Sequence, residues 1–258
     1  MPKLSAPRLS ALVVAHNEGA QIADCLERLR FADEIVVVLD RCTDTTREIA
    51  ARFTDKLIEG AWPLEGARRN TGLDACSGDW ILEVDADERV PAEMAREIRD
   101  VIATATFGHI LIPFDNYVGS RLVRYGWGGY FGVMMAPRLT AKGAKRWGDQ
   151  RVHPALELKG EQRFLKSRMI HYVDRNISDM IHRLDRYTTS NAADLRAKRA
   201  EGKDIGSYGH NIRRIFSRFY KCYVGRKGYR EGRYGFLIAL MAGLYPILSY
   251  LKADLERE

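Results

Sequence analysis

Short apolar runs alternate with helical patterns over the first ninety residues, and that alternation restricts the fold more than any other feature. Leu9–Ala15 (LSALVVA), Glu34–Leu39 (EIVVVL), Lys56–Glu59 and Trp80–Val84 (WILEV) each read as a strand, most of them rich in β-branched residues. Between them, Ala20–Phe31 sets Ile22, Cys25, Leu26 and Leu29 at helical spacing. Thr43–Phe53 starts with hydroxyl and Asp capping candidates, Glu65–Ala75 reads as a helix, and Pro91 opens another. Strands joined by helices of this length predict βαβ units. The expected fold is α/β, with a mainly parallel central sheet and helices on both faces.

Beyond Ala103 the pattern changes. His109–Pro113, Gly132–Leu139 and Gln162–Tyr172 read as strands of a mixed arrangement, and Tyr125–Gly132 (YGWGGYFG) as a mobile loop. Ile177–Arg199 predicts a long helix with Met180, Leu184 and Leu195 on one side, and Gly202–Gly209 a break. The expected division is an α/β domain over 1–175 and a helical region over 176–258. Of the residues, 46% are hydrophobic and 29% charged, which excludes a disordered chain. Cys25, Cys42, Cys76 and Cys222 form no CxxC pair and no metal-finger spacing; they read as reduced thiols of a cytosolic protein. The first residues hold no apolar run of signal-peptide length.

The formal net charge of +7 has one location. From His210 to Arg233, eight lysines and arginines face Glu231 alone, so the rest of the chain is balanced. That distribution argues against a nucleic-acid-binding domain and for one anion-facing surface. Gly235–Leu251 follows as an uncharged apolar run. As a helix it spans ~25 Å, short of a bilayer core of ~30 Å, and Pro246 would kink it. With the basic run before it, it reads as an attachment to an anionic membrane surface. A helix packed on the protein or at a dimer interface is the alternative.

The segment WILEVDADE is the most informative chemically. An apolar strand ends in Asp85-Ala86-Asp87, and ligands of open α/β sheets bind at the carboxyl ends of strands. Two carboxylates there suit a hard cation, or a cation and a sugar hydroxyl; solvated acids at a strand end are the bland reading. Mg²⁺ or Mn²⁺ would stabilise a leaving diphosphate as a Lewis acid. His16-Asn17-Glu18 follows the first strand and could hold a base and ribose, or Asn17 could cap the next helix. Asp40 follows the second strand and could accept hydrogen bonds from uracil or ribose. Arg69, in Arg68-Arg69-Asn70, could face a diphosphate or simply solvent. Three polar clusters at three successive strand ends are more specific than any one of them.

VVAHNEGAQIADCL, EIVVVLDRCTDTT, GARRNTGLDACSGDWILEVDADERV and the later His171-Tyr172 resemble glycosyltransferase family 2, of GT-A fold. The layout, with GRKGYREGRYGFLIALMAGLYPILSYLK near the carboxyl end, resembles the lipopolysaccharide-core glucosyltransferase branch. The resemblance implies an inverting transferase that moves a sugar from a nucleotide-sugar, a UDP-sugar by preference, to a lipid-linked or cell-envelope glycan on the cytoplasmic face of the inner membrane. It implies that Asn17, Glu18 and Asp40 hold the nucleoside, with His16 beside them, and that Arg69 lies near the phosphates. Asp85 would contact ribose or metal, Asp87 would ligate the metal, and His171 is the candidate third ligand, a packed core histidine being the alternative.

There are departures. VLDRCTD stands where relatives read VVDSGSTD, so Asp40 falls one position later. In the stretch Arg151-Val152-His153 the branch often has an acid after Val-His, and here Pro154 takes that place. Asp149 is then the expected base for the acceptor hydroxyl, with Glu157 and Asp115 behind it. His153 is a further candidate substrate contact. So is Trp127, whose ring could stack on a sugar or could pack. The competing readings are a polyprenyl-phosphate sugar synthase and a non-catalytic module binding nucleotide or lipid. A dehydrogenase is disfavoured, because no GxGxxG follows the first strand.

Overall fold

A computed structural model of the chain describes residues 6–128, 132–149 and 155–256. The alternating segment forms β1 (Leu9–Ala15), α1 (Ile22–Glu27), β2 (Glu34–Asp40), α2 (Thr46–Ala50), β3 (Leu57–Gly60), α3 (Glu65–Ala75) and β4 (Trp80–Asp85). Then come β5 (Glu88–Arg89), α4 (Ala92–Thr104), β6 (Gly108–Val118), β7 (Arg121–Val123), β8 (Met135–Ala141), β9 (Lys145–Trp147), β10 (Leu156–Leu158), β11 (Glu161–Phe164) and β12 (Met169–Asp174). Three α-helices close the chain, α5 (Ile177–Ala200), α6 (Tyr208–Tyr220) and α7 (Arg233–Leu255), with a π-helical turn (Lys221–Gly225) and a 3-10 turn (Gly228–Glu231) between the last two.

The chain forms two compact units. The first takes residues 1–114 and 135–171, the second 115–134 and 172–258. Residues 115–134 thus lie with the C-terminal helices, which a linear division after residue 175 leaves out.

In the first unit β3, β2, β1 and β4 run parallel, as the βαβ pattern predicts. β8 joins β4 antiparallel, and β6 joins β8 antiparallel. The sheet is buried on both faces, as a parallel sheet must be. Val13, Val37, Leu82 and Val84 pack with Ile22, Leu26, Met94 and Ile98 of α1 and α4. Their strand neighbours Leu12, Val36, Val38 and Ile81 pack with Leu73 of α3. Gln162–Tyr172, read as one strand, divides into β11 and β12. β11 pairs with β6, and β12 folds back on β5 with His171 opposite Glu88.

In the second unit Val118, Val123, Trp127, Met180, Leu184 and Tyr245 share a core with much of α7. Asn176 and Ser207 cap α5 and α6, accepting from the amides of Asp179 and His210. α7 continues through Pro246 and packs on α5 and α6. Glycine sets these approaches: a Cβ on Gly235 would lie 1.8 Å from the Gly228 carbonyl oxygen. The stretch read as a mobile loop is, over its described part, a packed turn. Gly126 has φ +84° and donates to the Arg226 carbonyl at 3.0 Å. Trp127 is buried and donates to the Val123 carbonyl at 2.6 Å. Its ring is enclosed in the core and presents no face for a sugar, so packing is the role the structure gives it.

Candidate active site

The carboxyl ends of β1, β2 and β4 lie level, because Ala15 pairs with Leu39 and Val14 with Asp85. Tight turns leave β1 and β2: Asn17 has φ 55° and Arg41 φ 52°, the left-handed region that asparagine tolerates best after glycine. The two loops are tied together. Asn17 Oδ1 accepts from the Thr43 amide at 2.8 Å, the Glu18 amide donates to Thr46 Oγ1 at 2.7 Å, and the Gly19 amide to Asp44 Oδ2 at 3.0 Å. Asn17 therefore braces the β2 loop and does not cap α1. His16 Nδ1 meets the Asp40 carbonyl at 2.6 Å. Gln21 donates to Glu18 at 2.7 Å; burial raises the Glu18 pKa, and the charges of Asp87 and Asp85 add to the rise.

Asp40 is 1% exposed and fully engaged. Oδ1 accepts from Arg41 at 2.9 Å and the Trp62 amide at 3.2 Å; Oδ2 accepts from Arg41 and Arg68, each at 3.0 Å. Burial pushes this carboxyl up, but those donors hold it below its ordinary value. These four bonds take up the acceptor positions of the carboxylate. In this arrangement Asp40, expected to receive base or ribose, anchors Arg41 and Arg68.

At the end of β4 the acids separate into two roles. Asp85 accepts from Arg69 of α3 at 3.2 Å and from Arg138 of β8. Arg138 also donates to Glu88, whose other oxygen accepts the Asp85 amide at 2.9 Å. Arg69 is held further by Glu65 at 2.9 Å, and its guanidinium lies 5.1 Å from the Trp147 ring centre. Burial opposes ionisation of Asp85, but the two arginines hold its carboxyl far below the usual range. Burial pushes Glu88 up to about 7, against the pull of Arg138.

Beside this network His171 Nε2 lies 3.4 Å from Asp87 Oδ2. Burial lowers the His171 pKa, but the contact with Asp87 outweighs it and the net shift is upward. One ligand atom each of Asp87, Glu88 and His171 lies within 4.8 Å of the others. Two carboxylate oxygens and an imidazole nitrogen suit Mn²⁺ or Mg²⁺. Asp85, expected among the metal ligands, is not one of this trio, and Glu88, which shares Arg138 with it, is.

The structure thus gathers His16, Asn17, Glu18, Asp40, Arg69, Asp85, Asp87 and His171 at one end of one sheet. Asp149 is exposed, two residues past Trp147. That segment is pinned to α3: Asn70 donates to the Trp147 carbonyl at 2.8 Å and accepts from its amide at 3.0 Å. Glu157 pairs with Lys159 at 3.2 Å, and Asp115 belongs to the second unit. Trp127 lies in the second unit's core, and His153 falls outside the described residues. Arg138, Glu88 and Trp147 were not anticipated. The acid run DADE offered a signal for Glu88; Arg138 and Trp147 had none.

In sequence and fold the chain resembles known glycosyltransferases. The family model "Glycosyl transferase family 2" matches residues 10–131. A lipopolysaccharide core biosynthesis glycosyltransferase, LpsC of Rhizobium meliloti (strain 1021), is 24% identical over 98% of this chain and 93% of its own length. An uncharacterised glycosyltransferase of Rickettsia felis is 33% identical over 38% of this chain, a match that spans 35% of that relative. Among solved structures, S. aureus TarS 1-349 shares the fold with a TM-score of 0.50 at 14% identity, over 97% of this chain and 93% of that one.

Proposed function

We propose that the chain is a glycosyltransferase, with its family 2 domain over residues 10–131, that transfers a sugar from a uridine-nucleotide donor, with inversion and with Mg²⁺ or Mn²⁺, to a lipid-linked or cell-envelope glycan. The observation that carries this reading is the Asp87–Glu88–His171 trio, set at the strand end where the β1 and β2 loops meet. A divalent ion there would neutralise charge on the departing diphosphate. Donors of this chemistry are bound by the fold relative TarS, crystallised with UDP and with UDP-GlcNAc. Likeness to a lipopolysaccharide core transferase supports an envelope acceptor and a place at the cytoplasmic face of the inner membrane.

The chain's own groups divide the work. Arg69 and Arg138 fix Asp85 at the mouth of the strand end. Asn17 and Glu18 line the nucleoside side, and Asp40 aims Arg41 and Arg68. Asp149, held near α3 through Trp147, is our base for the acceptor hydroxyl: it takes the proton as the acceptor oxygen attacks the anomeric carbon. Calorimetric titration of UDP-sugars with and without Mn²⁺, on the full chain and on Asp87→Asn, tests the proposal. Metal-dependent binding that the variant loses with an unchanged Tm is expected. Donor binding indifferent to both metal and Asp87 would overturn the reading in favour of a non-catalytic binding module.

A further inference from the structure

α7 is apolar and long enough to cross a membrane, but 56% of its most apolar window is buried within the protein. It is committed to the second unit's core through Ile238, Ala242 and Tyr245. The helix before it is not. α6 is apolar on two sides. Phe219 packs on the core, whereas Phe216 and Tyr220 are 70% and 64% exposed. Phe216 and Tyr220 share a face at helical spacing, and Val224, in the π-helical turn Lys221–Gly225 that follows, is exposed too. Phe236, half exposed at the start of α7, lies 5.6 Å from Phe219 ring to ring, and Tyr229 lies 6.5 Å from Tyr223.

The same segment is rich in cations. Arg213, Lys221, Lys227, Arg230 and Arg233 are exposed. Among the described residues none of them, nor Arg218 or Arg226, pairs with a carboxylate. The single acid of the segment, Glu231, turns inward to accept the Arg124 and Tyr125 amides at 2.8 and 3.1 Å. The same segment lines a cavity of about 260 Å³, with Arg218, Lys221, Cys222 and Arg226 facing Gly128 and Ala242. It holds three cations and no acid. Arg226 is fixed across it by a 2.8 Å bond to the Trp127 carbonyl. A Cβ on Gly128 would fall 1.6 Å from the Arg226 guanidinium, so glycine there keeps the space open.

We propose that the second unit docks on an anionic lipid surface through the outward face of α6 and the turn after it, with Phe216, Tyr220 and Val224 in the interface and Arg218, Lys221 and Arg226 receiving a lipid phosphate in the cavity. Aromatic side chains favour the boundary between headgroup and acyl chain, and a basic helix face adds attraction to anionic headgroups. An arginine fork with a lysine point charge is a phosphate-binding set. The assignment moves the membrane contact from the apolar run 235–251 to the helix before it. It deepens the membrane-acceptor reading above and is independent of the sugar transfer.

Vesicle sedimentation of the full chain tests it, with phosphatidylcholine alone against phosphatidylcholine mixed with phosphatidylglycerol. Binding to the mixed vesicles alone, weakening with salt, is expected. Arg218→Gln/Lys221→Gln should weaken it about thirtyfold, the value of two charges near an anionic surface. Phe216→Ser/Tyr220→Ser alters only exposed rings and should weaken it at least about tenfold, with Tm and donor binding unchanged. Equal binding to neutral vesicles, or wild-type binding by both variants, would overturn the proposal. So would inorganic phosphate binding to a protein that ignores vesicles. Asp87→Asn should bind vesicles as wild type does, so a chain that binds lipid but no nucleotide-sugar would refute the transfer reading alone.

Discussion

Arg138 holds two carboxylates that would otherwise face each other in a buried space. Replacing it with methionine keeps most of the side-chain volume and removes the charge, leaving Asp85 to Arg69 and Glu88 without a cation. Removing one partner of a buried ion pair costs about 3–5 kcal/mol, because the charge left behind has been desolvated without compensation. For a unit of this size that is about 6–20 °C in Tm. The loss should depend on pH. Glu88 is already raised by burial, and without Arg138 it rises further. At pH 8 the variant must bury the carboxylate or take up a proton against the solution. At pH 6 Glu88 is protonated and the loss shrinks. Glu88→Gln on top of Arg138→Met should restore part of the stability at pH 8, an interaction that a double-mutant cycle by urea unfolding isolates. A loss below about 1 kcal/mol, or one equal at both pH values and additive with Glu88→Gln, would refute the account of this network.

Glu34 gives a second pH dependence. Burial raises its carboxyl, but Lys56, Ser10 and Ser77 outweigh it and bring it to about 2 from an ordinary 4.5. A depressed folded-state value means that the stabilisation is complete above about pH 4.5 and is lost as pH falls toward 2; it amounts to about 3 kcal/mol. Glu34→Gln should flatten the acid limb of a stability-against-pH curve by that amount, and an unchanged limb would refute it. Gly66 opens α3 against the Gly148 carbonyl oxygen, which a Cβ would approach to 2.0 Å. Gly66→Ala should therefore push α3 aside, costing about 1–3 kcal/mol and weakening donor binding through Arg69. Wild-type Tm and affinity would show that the helix has room.

How far the sequence reveals this arrangement depends on the distance over which a feature is specified. β1 and α3 match their sequence readings residue for residue, because apolar pattern and boundary residues are local. The strand-end clusters are legible for the same reason, since a parallel sheet aligns the ends of its strands. Arg138 lies fifty-three residues from Asp85 and meets it only through the pairing of β8 with β4, which no local pattern encodes. Glu88 is adjacent to the acids that were read, yet its position follows from a two-residue strand folding onto β12. Trp127 misleads because glycine and aromatic residues together suggest mobility, whereas here glycine permits backbone segments to touch. The apolar run of α7 has a composition shared by membrane and core helices, so only its burial separates the two.

The brace between the β1 and β2 loops bears on how a donor is captured. The Asn17, Glu18 and Gly19 contacts with residues 43–46 are made wholly within the protein and use no ligand atom. On the proposed reading the nucleoside side of the site is therefore preorganised, and little loop ordering is charged against the affinity. Donors that differ in the sugar should then share an association rate set by encounter with this rigid rim, and selectivity among them should reside in how long each stays.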